Sequence, residues 1–245
     1  DEIDFPCEEF NFVMHAGHGN FPRAVLAPAY PEQAVHLMEK AFNLADKYQI
    51  PVIVISDQHL NDSYFTADEL DIRDMAIDRG HILSDQDLPS PLEYKRYAFS
   101  DSGISPRILP GHTKAVLYAD SDEHTAAGHI TESATIRNQM MRKRMQKMEG
   151  LQQEIGPPEI YPDDQAKLAL LGWGSTYGVI KEAVDRLNKN GIVAQMIHYS
   201  EIFPFNPQHV TAERLGKINI IAIENNYTGQ FANFFSMATG LSIDQ

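Results

Sequence analysis

Ala24-Val25-Leu26-Ala27, a helical stretch that opens at Pro31, and Pro51-Val52-Ile53-Val54-Ile55 together decide the fold. Each apolar run is short, and Pro28, Tyr30 and Pro31 stop the first, as a strand buried on both faces and turning into a helix requires. Between the runs Ala34, Val35, Met38, Ala41, Phe42 and Ala45 recur at steps of three and four, while Glu39, Lys40, Asn43, Asp46 and Lys47 fill the other face. Pro31 suits a first-turn position and Glu32 complements the helix dipole. The segment therefore reads as strand, crossover helix and parallel strand.

The alternation returns toward the C-terminus. Lys167-Leu168-Ala169-Leu170-Leu171 reads as a strand, Gly172-Trp173-Gly174-Ser175-Thr176 as a turn, and Tyr177 to Asn190 as a helix with Val179, Ile180, Ala183, Val184 and Leu187 on one face and Gly191 after its end. Ile192 to Ile197 gives the next strand, Pro207 to Leu215 a helix, Ile218 to Ile223 a third strand, and Gln230 to Ala238 a last helix. The expected class is α/β, and open sheets of this kind bind ligands at the carboxyl ends of their strands.

Between these units the pattern breaks. From Asp57 to about Gly111 periodicity disappears among Pro89, Pro91, Pro106, Pro110 and many Asp and Ser, which marks a connector or functional loop that wraps a neighbour. Ala115-Val116-Leu117-Tyr118 reads as a short strand, and Asp120 to His124 as a polar turn. Thr131 to Ile155 reads as one long helix whose seam of Ile136, Met140, Met141, Met145, Met148, Leu151 and Ile155 packs either on this chain's core or on a partner, with Arg142, Lys143, Arg144 and Lys147 between. Gly156-Pro157-Pro158 ends it. The divisions are residues 1–111, 112–158 and 159–245.

Apolar residues make up 43% of the chain, enough for a real core, so disorder is not the theme. With 34 acidic against 20 basic residues the net charge is −14, which repels nucleic-acid backbones and anionic lipid. No apolar run reaches about 18 residues, so no membrane span is expected. The one cysteine, Cys7, cannot alone make a disulfide, a zinc cage or an iron–sulfur site, and a reducing, cytoplasmic setting is expected. The opening Asp1-Glu2-Ile3-Asp4 has neither an initiator Met nor a secretion pattern and reads as a cut end.

Four motifs carry possible chemistry. Gly172-x-Gly174-x-x-x-Gly178 follows a strand and opens a helix, but its spacing is one residue longer than the dinucleotide fingerprint and no acid ends the next strand. A turn with Ser175 or Thr176 capping the helix is the better reading, and a nucleotide-binding dehydrogenase the poorer. Glu224 to Gln230 closes the third strand as either a ligand-holding turn or a helix start capped by Asn226 or Thr228. His15, His18, His124 and His129 lack metal-ligand spacing. No nucleophile elbow or Cys–His couple is present.

In order, Gly17-His18-Gly19-Asn20-Phe21-Pro22-Arg23, Pro51 to Gln58, Tyr94-Lys95-Arg96-Tyr97, Ser102 to Arg107, Asp120 to His124, Gly172 to Gly178 and Glu224 to Gln230 closely resemble the α subunit of 2-oxoacid:ferredoxin oxidoreductases, particularly the 2-oxoglutarate type. The resemblance runs from Asn11 onward. It implies the end of a thiamin diphosphate pyrimidine-type domain followed by a transketolase C-terminal-like open parallel sheet. It also implies oxidative decarboxylation of a 2-oxoacid, with electrons passing through a [4Fe–4S] cluster to ferredoxin and the acyl group to coenzyme A.

The diphosphate, magnesium and cluster are implied on a β subunit, in keeping with the single cysteine and the absence of Gly-Asp-Gly here. The family's cofactor-activating glutamate and its substrate-binding threonine and arginine precede the Gly-His-Gly stretch, in motifs not found in this chain, so no catalytic residue is assigned and the chain is not expected to turn over alone. His18 and Arg23 are the candidates for lining the carboxylate end of a substrate pocket, against the plainer reading that the loop only shapes a turn and Arg23 pairs with an acid. A non-catalytic scaffold in the same complex is the alternative function. The acidic charge places ferredoxin on the β subunit.

Overall fold

The computed structural model describes residues 9–67, 72, 75–88, 94–111, 114–162, 166–210, 215 and 217–244. Strand β1 (Ala24–Leu26) pairs in parallel with β2 (Val52–Val54), Ala24 opposite Val52, and helix α2 (Pro31–Tyr48) crosses between them as the sequence predicts. Pro31 begins the helix, and Gln49 ends it in the left-handed region. Strand β4 (Leu168–Trp173) runs parallel to both β5 (Ala194–Tyr199) and β7 (Asn219–Ala222), with α5 (Tyr177–Lys189) crossing from β4 to β5.

Two strands lie outside the sequence pattern. Strand β3 (Glu159–Tyr161) adds antiparallel to β5 as an edge. Strand β6 (Glu201–Phe203) leaves the second sheet straight after β5 and pairs antiparallel with β1, so the orders are β2-β1-β6 and β3-β5-β4-β7. β1 is the central strand of its sheet and fully buried, whereas β2 is an edge and only half-buried.

Strand alternation then sorts the core. Ala24 and Leu26 face Leu37, Ala41, Leu44 and Tyr48 of α2, together with Leu151 of the long helix α4 (Ala134–Glu154). Val25 and Ala27 face the other way, into one cluster with Ala169 and Leu171 of β4, Ile197 and Tyr199 of β5, and Ile202 of β6. Phe10 of α1 (Glu9–His15) and Phe231 and Phe235 of α6 (Gln230–Thr239) fill that shared layer, and Phe10 lies 5.6 Å from Trp173 and 5.9 Å from Phe231. A separate cluster of Leu170, Ile180, Val184 and Met196 seats α5 on the outer face of the second sheet.

Several expectations are corrected. Ala115–Tyr118 forms no strand: Val116, Leu117 and Tyr118 are exposed, and Gly128 folds so closely onto the Tyr118 carbonyl that a Cβ there would stand 2.0 Å from the oxygen. Val179 points to solvent because the buried stripe of α5 runs through Ile180 and Val184. The buried line of α4 is Met140, Lys143, Lys147 and Leu151, not a methionine seam, and Met145 is exposed. Residues 207–210 form a turn, while 211–214 of the expected Pro207–Leu215 helix, like Cys7 and the rest of residues 1–8, lie outside the described set. No helix among the described residues is long and apolar enough to cross a membrane.

The connector between β2 and α4 wraps this chain's own helices. Asp46 of α2 binds Arg107 at 2.9 Å and also Arg79, and Asn43 donates to the Ala76 carbonyl. Gly103, at φ +75°, lies against α4 where a Cβ would stand 2.3 Å from the Lys143 carbonyl oxygen. Lys47 joins α2 to Glu154 of α4 at 2.5 Å.

Two polar groups, the half-buried Glu224 and the buried His198, fix the second sheet's upper edge. Glu224 follows β7, and its carboxylate accepts hydrogen bonds from Trp173 Nε1 (3.2 Å), Asn226 Nδ2 (2.7 Å) and the Phe231 and Ala232 amides (2.9 and 2.8 Å), the last two being free donors at the start of α6. Asn226 Oδ1 takes the Gln230 amide as expected, whereas Thr228 does not cap with its side chain. His198 of β5, 2% exposed, lies 2.9 Å from the Gly174 carbonyl. Burial drives its pKa down to about 4 despite the hydrogen bonding to Gly174 and Trp173, so at neutral pH the ring is uncharged and donates to that carbonyl.

Glu224→Gln removes the charge and leaves at least one of the four donors facing another donor. It should cost about 1–3 kcal/mol, read by denaturant unfolding through the fluorescence of Trp173, the single tryptophan and itself a partner. For His198 the sign is set by its lowered pKa. The unfolded chain takes up a proton below about pH 6.5 and the folded one only near pH 4, so stability falls as pH drops through that window, by about 2 kcal/mol between pH 7 and 5. In His198→Gln the stability–pH curve should be shallower by that amount, and an unchanged curve would refute the assignment.

Candidate active site at the junction of the two sheets

Because β6 lies beside β1 and β4 is central to the second sheet, the carboxyl ends of β1, β2, β4 and β7 converge on one cleft. Pro28, Ser56, Asp57, Trp173, Ser175 and Asn226 line it, and its volume is about 30 Å³, enough for water. Asp57 joins the units. One carboxylate oxygen caps α3 (Gln58–Asp62) through the Leu60 amide at 2.9 Å, and the other accepts the Ser175 hydroxyl. Asp57–Ser175 is the contact the sequence reading missed. The signal was present in an Asp at a strand end three residues before Leu60, the N-cap spacing.

The glycine-rich turn is built for packing. A Cβ on Gly172 would stand 2.1 Å from Ile180 Cδ1, so the glycine lets α5 sit on β4, and Gly174 at φ +57° turns the chain toward Ala27 at the end of β1. Thr176 Oγ1 accepts the Trp173 amide at 3.2 Å and donates to the Trp173 carbonyl at 2.7 Å. Neither Ser175 nor Thr176 therefore caps α5, correcting that expectation: Thr176 closes the turn and Ser175 ties it to Asp57.

The Gly-His-Gly loop precedes β1, at the strand's amino end. Gly17, at φ +106°, packs on the Phe21 ring, and Phe21 lies 4.0 Å beneath the Arg23 guanidinium. Arg23 is 7% exposed and donates to the Val13 carbonyl at 2.6 Å, holding the C-terminal end of α1. Burial lowers its pKa from the usual arginine value. His18, Gly19 and Asn20 are exposed, and among the described residues no hydrogen bond or ion pair joins His18 to Arg23. His124 and His129 fall elsewhere, on the connector, His124 stacked on Tyr97 at 3.7 Å.

Among the described residues no group of three or more His, Cys, Asp or Glu side chains comes together to hold a metal ion. With a water-sized cleft as well, the junction does not fit a whole magnesium diphosphate; it offers a polar wall with a carboxylate, hydroxyls and an indole.

A family model described as pyruvate flavodoxin/ferredoxin oxidoreductase, thiamine diphosphate-binding, matches residues 8–143. The chain is 36% identical over 238 residues to the α subunit of 2-oxoacid:ferredoxin oxidoreductase 1 from Sulfurisphaera tokodaii, covering 95% of this chain and 36% of that one. It is 26% identical over 198 residues to the 2-oxoglutarate oxidoreductase subunit KorA of Mycobacterium tuberculosis, covering 79% of this chain and 29% of that one. A solved 2-oxoglutarate:ferredoxin oxidoreductase from Magnetococcus marinus, with 2-oxoglutarate, coenzyme A and succinyl-CoA bound, superposes with a TM-score of 0.86 at 28% identity, over 96% of this chain and 41% of that one. The chain thus spans about a third of the length of the curated α subunits it matches. By that match and the shared two-sheet architecture, the chain belongs to the thiamine diphosphate-binding family of pyruvate flavodoxin/ferredoxin oxidoreductases.

Proposed function

We propose that the chain forms one wall of a composite thiamin diphosphate site in a 2-oxoacid:ferredoxin oxidoreductase, the opposite wall belonging to a β subunit. The observation that carries this is the convergence of four strand ends from two sheets on a cleft too small to hold the cofactor, in a chain similar over 95% of its length to α subunits of such enzymes. The reaction converts a 2-oxoacid, coenzyme A and two oxidised ferredoxins to acyl-CoA, carbon dioxide, a proton and two reduced ferredoxins. 2-Oxoglutarate is the substrate we favour, on the likeness to the Magnetococcus marinus enzyme. The diphosphate, Mg²⁺ and the [4Fe–4S] cluster belong with the partner, which supplies the thiolates that Cys7 alone does not. Ferredoxin docks there too, away from a chain of net charge −14.

Within this chain, Asp57 and Ser175 keep the two sheets in register at the junction. His18, exposed on a loop held by the Gly17–Phe21–Arg23 stack, remains our candidate for the distal carboxylate of the oxoacid, reached from the amino end of β1 in the assembled site, with Arg23 holding the loop.

Combining the full-length α subunit with its β subunit should give viologen reduction that requires both an oxoacid and coenzyme A, with kcat/KM for 2-oxoglutarate at least tenfold above pyruvate. A stable complex without turnover makes the chain a scaffold, and a preference for pyruvate overturns the substrate. In the active complex, His18→Ala and Arg23→Met should each raise KM for the oxoacid severalfold with kcat little changed, and unchanged values remove the two residues from the site.

A further inference from the structure

Three stretches that the junction leaves unused meet at one place. Arg96 and Tyr97 of the connector, His124 of the polar turn, Met140, Lys143, Arg144 and Lys147 of α4, and Gln49 at the end of α2 line a partly open cavity of about 180 Å³. Four of these side chains are cations, in a chain that is otherwise strongly acidic.

Their charges are incompletely answered. Glu123 is the nearby acid, and it is already engaged by Arg144 at 2.7 Å and Arg137 at 3.1 Å. Burial raises the Glu123 pKa, but the Arg144 and Arg137 contacts outweigh this and keep it below the ordinary glutamate value. Lys147 is 8% exposed and donates to the Gln49 carbonyl at 3.2 Å, a neutral partner. Lys143 is 9% exposed and, among the described residues, makes neither a hydrogen bond nor an ion pair with its ammonium. Among the described residues, Arg96 has the Tyr97 ring 5.0 Å away and no ion pair. His124 Nδ1 is buried without a hydrogen-bond partner among the described residues. An ammonium taken out of water costs several kcal/mol unless an opposite charge meets it, so leaving Lys143 among Arg96, Arg144 and Lys147 is destabilising in the empty cavity. Burial first, then those neighbouring cations, bring both lysines down to about 8, which still leaves them mostly protonated at neutral pH.

We infer that this cavity is a binding site for the phosphate group of a ligand. Arg96, Lys143 and Lys147 carry the three charges that Glu123 does not touch. A dianionic phosphate monoester answers that excess and offers several acceptor oxygens, whereas a single carboxylate leaves most of it unanswered. The Tyr97–His124 stack gives a flat flank beside the cations.

The test is calorimetric titration of the full chain with inorganic phosphate, with thermal unfolding as a second readout. Wild type should bind phosphate saturably and unfold at a higher temperature in its presence. Lys143→Met removes a charge whose ammonium has no partner among the described residues to orphan, so it should fold with an unchanged or higher Tm in phosphate-free buffer. It should bind phosphate at least tenfold more weakly, as should Arg96→Met. Binding by both variants within twofold of wild type, or no saturable binding by wild type at tens of millimolar, overturns the site. To find the source of the phosphate, coenzyme A is compared with its analogue lacking the 3′-phosphate. A tenfold preference for the former that Lys143→Met abolishes assigns the cavity to the coenzyme, which deepens the oxidoreductase reading. Equal binding of the two beside intact phosphate binding assigns it to free phosphate. None of these readouts needs turnover, so the site and the oxidoreductase reading fail separately.

Discussion

The structure depends on a strand exchange of three residues. β5 belongs to the second sheet, yet the chain that leaves it at Ser200 becomes β6 and completes the first, with the Ser200 carbonyl accepting the Ala27 amide at 2.7 Å and Val25 set opposite Phe203. Glu201 locks the exchange, binding Lys40 of α2 at 2.6 Å and the Gly156 amide beyond α4 at 2.9 Å. Gln33 of α2 reaches across from the same side to Ser200 Oγ at 3.2 Å. With β6 in place the two sheets present Val25, Ile202, Ile197 and Leu171 to one apolar layer, and the layer fixes how their upper edges meet. Without it, β1 would become a free edge and the layer between the sheets would lose Ile202.

That geometry explains why the junction is polar but tight. Asp57 and Ser175 arrive from different sheets, and they meet because the shared core, with Phe10, Phe231 and Phe235 wedged into it, permits a single spacing. Glu224 acts on the same edge from the other side, gathering an indole, an amide side chain and two helix amides onto one carboxylate. Charged groups near the core are satisfied wherever the fold itself needs them: Glu224 by four donors, Glu201 by a lysine and an amide, Glu123 by two arginines. Among the described residues Lys143 departs from that pattern, its largely buried ammonium meeting no acid, and such a departure points to something the fold alone does not explain.

Local signals carried the parallel units. Each needs only an apolar run, a three- and four-residue periodicity and a proline or glycine stop, all within about forty residues of sequence. The strand exchange is different in kind: Glu201-Ile202-Phe203 is too short to show alternation, and its partner β1 lies far back in the chain, so nothing nearby announces the pairing. The capping rules pointed to Asn226, which does take the first amide of α6, but not to Glu224, whose contacts lie seven and eight residues ahead and depend on how the loop folds back. In α4 the hydrophobic scale misled. Met140 and Leu151 are buried as expected, but the positions between them on that face are Lys143 and Lys147, which periodicity alone assigns to solvent. His18 and Arg23 were legible as a loop and a strand start, yet only coordinates show the Phe21 ring between Gly17 and the guanidinium.

The contrast between the acidic chain and its basic cavity separates two uses of charge. At physiological ionic strength exposed charges are screened beyond about 8 Å, so the net charge of −14 bears on which macromolecules approach but has little hold inside a partly open pocket lined by cations. There the neighbouring cations and the low local dielectric dominate. An anion arriving at this surface gains nothing from long-range attraction and must be held by desolvated contacts with Arg96, Lys143 and Lys147. Selection of this kind discriminates by shape and charge count, not by charge sign at a distance. It lets a chain of strongly negative net charge keep one small place for a compact anion.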